Sequence, residues 1–87
     1  MRIPKDPDAV LDYSVNWARW LDGDEILSSE WIIPEGLSKV IDNFTETKAT
    51  VWISGGTAGA SYTITNRITT AAGRTEDRSL TVYLKER

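Results

Sequence analysis

The sequence contains no cysteine and no histidine. Without thiols there is no disulfide staple, no thiolate nucleophile and no zinc site of the usual kinds. Without imidazole the proton relay of a serine hydrolase is missing. Long apolar runs are absent too: nothing approaches the roughly 20 residues that cross a bilayer as a helix. The opening Met1-Arg2-Ile3-Pro4-Lys5-Asp6-Pro7-Asp8 is broken by proline and aspartate where a signal peptide needs an apolar stretch. A soluble, unexported product is therefore expected. Basic charge is in short supply, 10 Lys and Arg against 13 Asp and Glu. That balance argues against a protein built to grip nucleic acid or an anionic membrane.

What is present describes a small folded domain. Eighty-seven residues, 40% apolar and 26% charged with four tryptophans, lack the low hydrophobicity and high net charge of disorder. One domain is the natural unit, and its core must be efficiently packed because so short a chain buries only about 60–65% of its unfolded surface. Residues 1–9 read as an extended N-terminal segment, since proline and the residue before it avoid helix. Residues 10–87 read as the domain.

Strand patterns dominate. Leu11, Tyr13, Val15 and Trp17 alternate with Asp12, Ser14 and Asn16, the period of a half-buried strand. One short helical turn near residues 18–22 closes at Gly23. A strand from Ile26 to Ile33 puts Leu27, Ser29, Trp31 and Ile33 on one face, and Pro34-Glu35-Gly36 then makes a type II turn. The strand Ser38–Phe44 declares no inward face. Lys48–Ser54 is β-branched and aromatic. Ser61–Thr70 sets Tyr62, Ile64, Asn66 and Ile68 against Thr63, Thr65, Arg67 and Thr69. Ala71–Thr75 turns the chain into a charged segment, Glu76-Asp77-Arg78, before a final strand, Ser79–Leu84, buries Leu80, Val82 and Leu84. Six or seven short strands at this spacing predict an all-β, antiparallel sandwich. Tyr62, opening a long strand after a glycine-rich loop, resembles the tyrosine corner of immunoglobulin-like sandwiches.

No catalytic constellation emerges. Gly55-Gly56-Thr57-Ala58-Gly59 leads into a strand with no following lysine, so it reads as a turn rather than a phosphate cradle. Asp22-Gly23-Asp24-Glu25 is the one dense carboxylate cluster, yet it lacks the alternating spacing of a calcium loop and reads as a solvated loop. Basic residues of the C-terminal third, Arg67, Arg74, Arg78, Lys85 and Arg87, interleave with acids and read as an ion-paired surface. Trp17 and Trp31 fall on apolar faces and read as core. Trp20, Trp52 and Tyr83 remain as the aromatics available for contacts, since exposed apolar groups mark interaction sites. No catalytic, cofactor or metal residue is expected.

Two stretches resemble a known family. Lys5 to Trp17, continuing to Trp20-Leu21, is similar to the opening of small Ig-like proteins of tailed phages and prophages, a fibre–tail adaptor or minor virion protein family. Val51 to Gly59, Tyr62 to Arg67 and Thr70 to Arg74 are similar to their second half. The resemblance implies a non-enzymatic structural role in the virion, contacts with other tail or fibre proteins, host cytoplasm before assembly, and no catalytic residues to transfer. Self-association in the assembly is left open; neither nucleic-acid binding nor membrane insertion is expected. A carbohydrate-binding module used in cell-surface adhesion is the alternative, and it requires a row of exposed aromatics. An enzyme would have to rely on carboxylates alone.

Overall fold

The computed structural model describes residues 2–5 and 9–85; Met1, residues 6–8 and residues 86–87 lie outside it, and with them parts of the N-terminal segment and Arg87. Among the described residues, seven strands and one helical turn follow in the order β1 (Arg2–Lys5), β2 (Leu11–Asn16), α1 (Ala18–Leu21), β3 (Ile26–Ile32), β4 (Leu37–Phe44), β5 (Lys48–Gly55), β6 (Ser61–Thr70) and β7 (Thr75–Leu84). They form two sheets, β1-β7-β6-β3 and β2-β5-β4. All strand pairs are antiparallel except β1 with β7. The chain is an immunoglobulin-like β-sandwich.

The core lies between the sheets. Tyr13 and Val15 of β2 and Ala49, Val51 and Ile53 of β5 face Ile64 and Ile68 of β6 and Leu80, Val82 and Leu84 of β7. Alternation places each of these on one side of its strand, so the facing rows exclude water without any long helix. Trp17 and Leu21 close one end. Asn16 starts the helical turn by accepting the Ala18 amide on its side chain at 3.0 Å, and Asp22, with φ 47°, ends it.

The opposite end carries the tyrosine corner. Tyr62 Oη accepts the Thr57 amide at 3.1 Å, tying the β5–β6 connection to the start of β6. The Thr57 hydroxyl first, and its amide second, hold the Tyr62 phenol below its ordinary pKa. Gly36 occupies the third position of the β3–β4 turn with φ 104°, and a Cβ there would come within 2.7 Å of Tyr62 Cε1. Gly56, at φ 102°, is equally constrained: its Cβ would lie 2.7 Å from Leu84 Cγ. The glycine-rich loop is therefore a close-packed turn in which two strands' side chains touch backbone.

Two sequence expectations change. Leu27 faces solvent rather than the core, because a bulge between Ile26 and Ser28 shifts the phase of β3 so that Ile26 turns inward. The charged segment 76–78, expected to precede the final strand, belongs to it: β7 begins at Thr75 and pairs with β6 from Thr75 to Tyr83. β4 has a bulge between Lys39 and Ile41 and buries only Leu37, which explains why its pattern declared no face. Lys5, at the end of β1, is fully buried and donates its ammonium to the Gly55 carbonyl at 2.8 Å.

Candidate interaction surface

Two fully buried side chains organise the end of the sandwich around α1. Asn66, on the inward face of β6, accepts the Trp17 indole N–H at 2.9 Å and donates to Ser29 Oγ at 2.9 Å and to the Glu30 carbonyl at 3.2 Å. Each polar group of that carboxamide is thereby used, which is what permits it to be buried. The fixed Trp17 ring then meets Trp20 edge-on, centroids 5.4 Å apart.

Two arginines of the β6–β7 hairpin lie over these rings. The Arg78 guanidinium sits 4.3 Å above Trp17, and the Arg74 guanidinium 4.2 Å above Trp20. Arg74 also donates to Asp24 at 3.1 Å and to the Leu21 carbonyl at 2.8 Å, clamping the hairpin to the α1 loop. Asp24 is held at a pKa of about 2, chiefly by the Thr70 hydroxyl; burial opposes this, while the Glu25 and Ala72 amides and Arg74 add to it. This aspartate is a structural clamp with a side chain only 9% exposed, not the solvated loop residue expected.

An open hollow of about 620 Å³ adjoins this cluster, lined by Asn16, Ala18, Arg19, Trp20 and Arg78. Trp20 is half-buried and forms one wall.

Trp52 and Tyr83 lie elsewhere. Trp52 is half-buried on the outer face of the three-stranded sheet, opposite Ile41 in one direction and Asp12 in the other. Ile41 and its neighbour Val40 are each 57% exposed. Tyr83, also half-buried, belongs to the outer face of the four-stranded sheet, opposite Ser61. The three aromatics thus stand on an end and on two opposite faces; they do not form a row. Sequence reasoning missed the exposed strip Val40–Ile41 beside Trp52, since only the pairing register brings Ile41 next to the indole. It also missed the stacked arginines, although Arg78 shares its parity with Leu80 and Val82 and so stands on the side of β7 that faces Trp17; Arg74 precedes the strand and no parity places it.

Other charges are paired on the surface: Arg67 is bidentate to Asp77 at 2.7 and 2.9 Å, and Lys39 meets Asp42 at 2.9 Å. Among the described residues no three Asp or Glu side chains converge in a way that could hold a metal ion.

A family model described as podophage GP4 fiber-tail adaptor protein gp77 matches residues 5–83. No curated protein sequence matches the chain. Among solved structures, the solution structure of the PKD domain from the KIAA 1837 protein shares its fold, with a TM-score of 0.58 and 19% identity over 98% of this chain and 78% of that one.

Proposed function

The chain belongs to the podophage fiber-tail adaptor family gp77, and from that premise we propose that it is a non-catalytic structural protein of the virion that joins tail and fibre components through protein–protein contacts. The family match over residues 5–83 carries this reading. The surface supports it. Trp20, Trp52 and Tyr83 present partly exposed aromatic area on three separate sides of the sandwich, an arrangement suited to touching more than one neighbour. The strip formed by Trp52, Ile41 and Val40 borders β4, an edge strand of the three-stranded sheet. Edge strands with exposed apolar side chains are places where another chain can dock or pair. A glycan platform would need its aromatics side by side, which these are not.

Quantitative mass spectrometry of purified particles tests the proposal. The polypeptide is expected at a fixed ratio to the tail proteins; its absence from intact particles would overturn the reading.

A further inference from the structure

We infer that the hollow beside α1 is a docking site for an acidic peptide segment of a partner protein, with Arg19 and Arg78 receiving its carboxylates and Trp20 its chain. This deepens the adaptor reading and rests on it for the identity of the partner as protein.

Among the described residues, Arg67, Arg74 and Lys39 each have an aspartate partner. Arg19 and Arg78 have none. Arg78 gives one donor to the Asn16 carbonyl, at a long 3.4 Å, and otherwise lies on the Trp17 ring. A guanidinium carries five N–H donors, so most of its capacity is left. The acids nearest in sequence form no ion pair with either arginine: the Glu76 carboxylate accepts the Asp77 amide at 3.1 Å, and Asp22 lies three residues after Arg19 without pairing with it. Lys48 stands opposite Asn16 in the β2–β5 register and brings a further cation to the border. A chain with net charge −3 therefore collects unneutralised positive charge at one hollow.

The site is also prearranged. Asn66 fixes Trp17, Trp17 supports Arg78, and Arg74 backs Trp20, so an arriving carboxylate meets a guanidinium and an aromatic wall already in position. Such preorganisation lowers the ordering cost of binding. A volume of about 620 Å³ accommodates a few residues rather than a single ion. Arginine matches a carboxylate with two parallel bonds, which gives the contact geometric selectivity as well as charge.

The test uses the purified chain and synthetic peptides. Hexaglutamate is titrated against hexaglutamine while the Trp20 indole N–H and arginine Nε–H resonances are followed by NMR. Hexaglutamate is expected to shift these signals, and its affinity to fall at least about tenfold in Arg19→Gln and to weaken as salt is raised. Arg78→Gln is expected to do the same; because Arg78 also covers Trp17, Arg19→Gln, at a residue with no ion pair among the described residues, decides the matter if Arg78→Gln fails to fold. Equal binding of the two peptides, no binding of hexaglutamate, or binding unaffected by Arg19→Gln would overturn the proposal. Shifts by a sialylated glycan in place of hexaglutamate would overturn it too, in favour of an acidic sugar. Particle incorporation separates the two levels: wild-type chain present in virions with no hexaglutamate binding removes the hollow's role alone, whereas its absence from virions removes the adaptor reading.

Discussion

Asn66 shows how a single polar residue can fix an end of a sandwich. Its amide faces the core among Ile64 and Ile68, a placement tolerable only because Trp17, Ser29 and Glu30 satisfy it. Replacing it with alanine leaves the Trp17 indole N–H buried without a partner. Asn66→Ala is expected to destabilise the fold by about 2–3 kcal/mol in urea denaturation and to change Trp17 fluorescence. Tyr13 provides the contrast. Its hydroxyl is buried with no hydrogen-bond partner among the described residues, and burial, followed by the Asp12 charge, raises its pKa. Tyr13→Phe removes an unsatisfied group while keeping the ring, so no loss of stability is expected in the same measurement. Gly56→Ala must push a methyl into Leu84 at positive φ, and about 1–3 kcal/mol of destabilisation is expected from the thermal midpoint.

At the scale of elements, the hairpin β6–β7 and the α1 loop are held together by the Asp24–Arg74 clamp. Asp24 has a folded pKa of about 2 against an ordinary value of 3.8. A carboxylate whose pKa is lowered by folding contributes stability above its unfolded value and loses it as pH falls through the folded one. Acid titration followed by tryptophan fluorescence should therefore show the Trp20 end loosening between pH 3.8 and about 2, with a flatter profile over that window in Asp24→Asn. Most strands were legible from alternation: Leu11 to Trp17 and Ser61 to Thr70 carry period-two patterns strong enough to set the inward face, although β2 ends at Asn16 and its first residue, Leu11, is exposed, and Asn66 declares its burial by its parity with Ile64 and Ile68. The exceptions have physical causes. A bulge at Ile26/Ser28 breaks the phase that placed Leu27 inside, because an extra residue turns every earlier side chain to the other face. The charges of 76–78 hid a strand, since β7 there extends beyond the apolar core and its Arg78 rests on Trp17 instead. The clamp joins residues 50 apart, and no local spacing announces such a pair.

Taken whole, the molecule is an elongated sandwich, 45 Å in its longest dimension and 17 Å in its shortest. The hollow borders the Asn16–Lys48 pair at the α1 end, whereas the Trp52–Ile41 strip lies further along β5 on the outer face of the three-stranded sheet. The strip contributes little to the core, and Val40→Lys with Ile41→Lys is expected to change stability by less than about 1 kcal/mol while blocking incorporation into particles, as read by mass spectrometry. The family was legible from long shared segments, but the strip and the hollow were not, because both are made by strands that meet only after folding. The adaptor role itself is tested most directly by deleting the gene from its phage and imaging the particles by electron microscopy. Heads and tails without fibres, restored when the wild-type chain is supplied, are the predicted result; fully fibred particles in its absence would contradict the account.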